Sequence, residues 1–415
     1  MKKSVVIFIT AVCLLITGCG DTGSLSKLPS SSFHEDKQKL TIMHIDADNK
    51  RFQDFIEETE KKLDMEITVE KCPSNADNRQ AKISTILASG DKNIDLISVN
   101  DEMISEFKHK GYLEPLEKNV MTEEVRDSFP QKYLESICEE NGHIYSVPFQ
   151  MDIMMFWVNQ ELLKQAGLDE IKNTGDFDIL QKSLKNPDQY AYGDAWENTH
   201  VYNSLAQFVN FWGGDYFDWT DPKTKDAARY MKSMLDEKNT SPAQFVDQYE
   251  QMEEKFIRGK YGCVFMYTGA LGTFLDADVY GKNKIHMAPL PVLHKKKATN
   301  IATWQYVLNN ASENKDAAVR FLQYAAGYEG STEYAKIMKS YPARVDVIEN
   351  EDIDLEGIDM IRKYLREYTL NARPLCENSM GAVSDMGKLF QGYVLGQCEE
   401  DSFFEQAQNC INTYY

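Results

Sequence analysis

The apolar residues between Leu40 and Val99 change their spacing four times, and no other feature limits the fold as strongly. Leu40 to Asp46 (LTIMHID) reads as a short strand, and Asn49 to Leu63 places Phe52, Phe55, Ile56 and Leu63 on one helical face. Met65, Ile67 and Val69 then alternate with Glu66, Thr68 and Glu70, the period of a half-buried strand. From Arg79 to Ala88 the spacing is helical again, with Ile83, Ile86 and Leu87 turned inward and Gly90 as the stop. Ile94 to Val99 (IDLISV) closes the series as a largely apolar run of the kind buried in a parallel sheet. Strand, helix, strand, helix, strand predicts an α/β unit, and parallel sheets bind ligands at the carboxyl ends of their strands. That rule puts His44, Asp46, Asn100 and Asp101 on the rim of a cleft.

Roughly 375 of the 415 residues follow Leu40, too many for one compact core and natural for two domains. The formal charge of −20 repels nucleic acid and offers no polybasic membrane patch. Of the eight cysteines, Cys72, Cys138, Cys263, Cys376, Cys398 and Cys410 lie in the folded part, widely spaced. With no C-x-x-C and no paired histidines, neither a metal nor another cofactor is expected. Cys263, inside GCVFMY, reads as a buried thiol, and any disulfide pairing is left open.

The N-terminus carries an address. Lys2 and Lys3 precede an apolar core from Val5 to Ile16, too short to cross a bilayer as a helix. Ile16-Thr17-Gly18-Cys19 resembles the bacterial lipobox, in which the cysteine is acylated and becomes the first residue. Residues 1–18 are then a lipoprotein signal peptide and Cys19 the lipidation site. Residues 19–39, rich in Ser, Gly and charge, form a flexible tether. The expected location is extracytoplasmic, on the outer face of the cell membrane, with the membrane reached through the lipid only.

Further along, ordered motifs span nearly the whole mature chain. Ala88-Ser89-Gly90-Asp91 with Asp95-Leu96-Ile97 is followed by GYLEPL (111–116), GHIYSVP (142–148) and VNQELLKQAGL (158–168). Gly213-Gly214-Asp215, FIRGKYG (256–262), MAPLP (287–291) and YPAR (341–344) complete the series. In order and spacing the set resembles the extracellular solute-binding proteins of ABC importers, family 1, of the maltose- and oligosaccharide-binding type. Two places depart from the pattern. Trp157 replaces a customary tyrosine, and Ala270-Leu271 stands where Pro-Trp often supplies a sugar-stacking ring.

The resemblance implies a two-lobed type II periplasmic-binding-protein fold of class α/β. Each lobe is a mixed sheet flanked by helices, with the ligand cleft between them. Lobe one is expected to hold residues 40–149 and 268–309, and lobe two residues 150–267 and 310–415. The chain is expected to cross near 149–153, 263–269 and 308–311.

No catalytic signature is present: neither G-x-S-x-G, H-E-x-x-H, a P-loop nor G-x-G-x-x-G. Doublets such as Glu123-Glu124 read as solvated faces. Binding chemistry is better supplied, because sugars call for planar polar groups at their edges and rings above their faces. The expected ligand site comprises His44, Asp46, Asn100, Asp101, Gln150, Asp152, Trp212, Tyr267, Trp304, Gln305 and Arg344. The expected function is capture of a solute, a sugar or oligosaccharide, by a monomeric receptor that delivers it to an ABC importer permease. The alternatives are a polyamine or peptide in the same role, or a tethered glycan-degrading enzyme.

Overall fold

The computed structural model describes residues 37–73 and 76–415. The expected signal peptide, Cys19 and residues 19–36 of the expected tether lie outside the described residues. Nine strands build one mixed sheet: β1 (Gln38–His44), β2 (Met65–Lys71), β3 (Leu96–Asn100), β4 (Val147–Asn159), β5 (Tyr190–Gly193), β6 (Tyr261–Tyr267), β7 (Ile285–Ala288), β8 (Ala298–Leu308) and β9 (Thr369–Ala372). The order is β2-β1-β3-β8-β4-β6-β5, with β9 beside β8 and β7 beside β4. β1 starts at Gln38, so the tether ends sooner than its composition suggests. Gln38 and Lys39 pair with Met65 and Glu66 through the backbone while their side chains stay exposed.

The opening strands and helices form for the expected reasons. α1 (Lys50–Leu63) starts at Asn49, whose side chain accepts from Arg51 N at 2.9 Å, and buries Phe52, Phe55 and Ile56. α2 (Ala76–Ser89) buries Ile83 and Leu87 and is followed by Gly90 at φ +65°. β1 pairs in parallel with β2 and β3, and Ile94 to Val99 is buried throughout.

β4 and β8 organise the molecule. Their middles pair antiparallel, from Ile301 opposite Ile153 to Tyr306 opposite Val147. One end of β8 pairs with β3 and the other with β9. One end of β4 lies in the β1–β3 half, and the other pairs with β6 and β7. Each strand therefore serves two halves of the protein, and the waist lies near Gln150–Ile153 and Ile301–Trp304. At about 3.3 Å per residue, the 11 residues of β8 span roughly 36 Å, enough to cross.

The short strand β6 does not cross. It ends at Tyr267, opposite Met154, and the helix Ala270–Asp276 folds back so that Phe274 meets Trp157 at 5.0 Å. Residues 268–297 thus pair and pack with the half that holds β5 to β7, not with 40–149 as expected. The helices Lys315–Ala326 and Tyr328–Met338 lie in the other half, where Phe321 meets Tyr306 at 5.4 Å and Tyr334 meets Phe55 at 5.3 Å. Chain passages at β8, and later between residues 349 and 358, replace the expected ones at 263–269 and 308–311. Cys263 is fully buried, as its apolar run implies.

Candidate functional site

A cavity of about 550 Å³ opens at the waist, lined from both halves. From the β1–β3 half come Asn100, Asp101 and Glu102, at the end of β3 and the start of the helix α3 (Asp101–His109), together with Thr303 and Trp304 of β8. Two carboxylates in the first turn suit the positive end of the α3 dipole. The other half supplies Glu197, Thr199, His200 and Asn203 around the start of the helix Val201–Trp212, and Tyr249 and Glu250, which open the helix Tyr249–Ile257. Asp152, Tyr267 and Gly269 lie between, at the waist.

Arg373, which follows β9 directly, joins the two walls. Its guanidinium pairs with both oxygens of Asp101, with Glu102 Oε1 at 2.6 Å and with the Tyr202 hydroxyl at 2.6 Å. Tyr202 in turn donates to Glu102, and Tyr133 donates to Asp101 at 3.2 Å. Arg373 is only 8% exposed and Asp101 fully buried. Against the cost of burial, the two carboxylates hold the Arg373 pKa well above its ordinary value. Burial opposes ionisation of Glu102, but Arg373 and Tyr202 outweigh it and lower its pKa. Behind Arg373 a second cavity of about 570 Å³ is lined by Asn210, Asn300 and Asn371, among others.

Asp152 is held differently. Its Oδ1 accepts from Thr268 Oγ1 at 2.7 Å and from Gly269 N at 2.8 Å. Burial nevertheless raises its pKa, against the pull of these two bonds. Asn100 Nδ2 donates to Glu102 at 2.9 Å, while the buried Asn100 Oδ1 has no hydrogen-bond partner among the described residues. The Arg79 guanidinium lies over the Trp304 ring at 5.3 Å. Tyr267 donates to Asn203 at 3.0 Å, and Tyr249 to the Tyr267 carbonyl at 3.2 Å.

Five expected site residues, Asn100, Asp101, Asp152, Tyr267 and Trp304, line this cavity, and six do not. His44 is fully buried, stacked on Phe52 at 3.8 Å, and burial lowers its pKa to about 3. Asp46 lies beside it, donating its backbone N–H to His44 Nδ1 at 3.0 Å, away from the cavity lining. Gln150 accepts from Tyr334 at 3.0 Å. Gln305 points to the opposite side of β8 from Trp304 and accepts from Ser146 and Cys138. Trp212 packs between Tyr230, at 4.8 Å, and a parallel His294 ring, at 5.0 Å. It stands two residues beyond Asn210, about 200° further round the helix, and so faces away from the cleft side. Arg344 ties Asp346, Ser128 and the Ala326 carbonyl together, a structural clamp.

Sequence reading missed Arg79, Glu102, Glu197, Thr199, His200, Asn203, Tyr249, Glu250 and Arg373. One signal was available for Glu102: it adjoins Asp101 in the first turn of a helix that follows a predicted strand. Arg79 opens the helical spacing read from Arg79 to Ala88, but spacing does not report what a polar side chain faces, and the rest lie at loop ends and helix starts that no periodicity marks.

The sequence profile of the bacterial extracellular solute-binding proteins matches residues 46–332. The probable amino-acid ABC transporter periplasmic-binding protein y4oP of Sinorhizobium fredii is 24% identical over 239 residues, 55% of this chain and 54% of that protein. The chain spans about half the length of the curated relatives it matches. Among solved structures, an ABC transporter solute-binding protein from Thermotoga lettingae bound to α-D-tagatose superposes with a TM-score of 0.74 at 18% identity, covering 91% of this chain and 99% of that one. The GacH receptor of Streptomyces glaucescens, solved unliganded and with acarbose, gives 0.75 at 17% identity, covering 92% and 100%. At such identities the likeness establishes the two-lobed fold.

Proposed function

The chain belongs to the bacterial extracellular solute-binding protein family, and on that premise we propose that it is the capture subunit of an ABC importer. It takes a sugar or oligosaccharide outside the cytoplasm, held to the membrane by lipid on Cys19, and hands it to a permease without chemical change. The observation that carries this reading is the polar cavity at the waist, walled by groups from both halves. A ligand lying there touches both walls at once, so it favours whichever arrangement of the halves brings them together. Carboxylate and amide groups with the rings of Trp304, Tyr249 and Tyr267 match the hydroxyl edges and C–H faces of a sugar. The solved proteins with bound tagatose and acarbose support that class, whereas the name of y4oP supports an amino-acid solute as the second reading.

Purified protein screened against sugars, polyamines and amino acids should show a raised Tm with one class and no product. Release of product from any glycan would overturn the receptor reading. Cys19→Ser should remove the chain from the detergent phase while ligand-induced stabilisation persists. Equal partitioning of mutant and wild type would discard the lipid anchor.

A further inference from the structure

The cavity is richer in acceptors and negative charge than a neutral sugar requires. Five carboxylates and two guanidiniums line it. Arg373 is committed to Asp101 and Glu102, and Arg79 lies over Trp304. Asp152 forms no ion pair among the described residues, and both hydrogen bonds it receives reach Oδ1, which leaves Oδ2 open. Glu250, also on the lining, is exposed at the first turn of its helix. Asn100, on the same lining, carries an Oδ1 that accepts no hydrogen bond among the described residues. Beside Asp152, the rings of Tyr249 and Tyr267 line the same cavity.

Resting on the receptor reading above, we infer that the solute carries a protonated amine on a hydroxylated, sugar-like frame, and that Asp152 receives the ammonium. An ammonium group has three donors and no acceptor, the complement of a carboxylate oxygen and an orphan amide oxygen. Removed from water, the charge-assisted bond to Asp152 is stronger than a hydroxyl contact, and the tyrosine rings add cation–π attraction. The amides and hydroxyls of Asn203, Gln248, Thr199 and Thr303 can both donate and accept, which suits hydroxyls better than the methylene run of a polyamine.

The test is calorimetry on the full chain in detergent with four probes: cellobiose, its diamino counterpart chitobiose, N,N′-diacetylchitobiose and spermidine. Chitobiose should bind at least tenfold tighter than either uncharged disaccharide, with an advantage that shrinks as salt is raised. Asp152→Asn, which keeps an acceptor for Thr268 and Gly269, should erase that advantage. Glu250→Gln, at an exposed position where folding is not at stake, should reduce it two- to threefold. Equal or weaker binding of chitobiose by the wild type overturns the inference, as does a preference that survives Asp152→Asn. Tighter binding of spermidine overturns the sugar-like frame. If no probe binds while another sugar of the wider screen does, the amine inference falls and the receptor reading stands. Product release would instead bring down the reading beneath it.

Discussion

The two walls of the cleft are built by different means. On the β1–β3 side, Asn100 and Asp101 belong to a strand end and a helix start, and Trp304 to the middle of β8, elements that the hydrophobic pattern marks out. On the opposite side, the lining residues between Glu197 and Asn203, Tyr249 and Arg373 come from three distant stretches of chain and meet only because β5, β6 and β9 lie across from β3. The first wall is a local consequence of secondary structure, and the second is a consequence of topology. Arg373 is where they touch, and it makes the comparison open to experiment.

The largest effect should come from cutting that contact. Arg373→Ala leaves Asp101 and Glu102 buried or half-buried without their cation, a loss of about 3–5 kcal/mol in urea unfolding. If the variant is as stable as wild type, Arg373 does not hold the walls together. Trp212 provides the contrast, as a residue expected in the second wall but found in the core. Trp212→Ala should cost about 3–5 kcal/mol of stability, while calorimetry on the folded protein shows ligand affinity unchanged. A weakened affinity with normal stability would return Trp212 to the site.

His44 sharpens the same point in the half that carries the first wall. Buried neutral with its pKa lowered to about 3, it binds a proton less readily folded than unfolded, where its pKa is about 6.5. Between those values the unfolded state holds more protons, so stability falls as pH drops. At pH 5 this one group should cost about 2 kcal/mol relative to pH 7. His44→Phe should flatten the urea midpoint over that range, and an unchanged slope would place the acid sensitivity elsewhere. The smallest effect is expected at Trp304, half-buried on the cavity wall. Trp304→Ala should weaken ligand binding about tenfold, or 1.4 kcal/mol, with little change in the urea midpoint.

The opening α/β unit was legible because its pattern is local. Phe52, Phe55 and Ile56 are buried at helical spacing, and Met65 and Ile67 at strand spacing, as the residues alone require. The site was legible where a strand reaches the waist: Asn100, Asp101, Asp152, Tyr267 and Trp304 lie on such strands or directly after one. At His44 that rule pointed to the right strand, but the aromatic surroundings of Phe52, Phe149 and Tyr306 claimed the ring for the core. The crossing strands were half legible. A strand pattern reveals that β6 and β8 exist, but not which is long enough to reach the other half.

By itself the sequence determined what depends on neighbours a few residues apart: the first strands and helices, the buried run at Ile94–Val99 and the ordered motifs that match the family. The tertiary structure alone decided what depends on residues brought from far away. It sent Arg373 across to Asp101, 272 positions earlier, turned Trp212 inward and left Asp152 on the cavity wall with no ion pair among the described residues. Periodicity records which side of an element is apolar. Which element that side meets is set by closure of the whole sheet, and no short stretch of sequence carries that information.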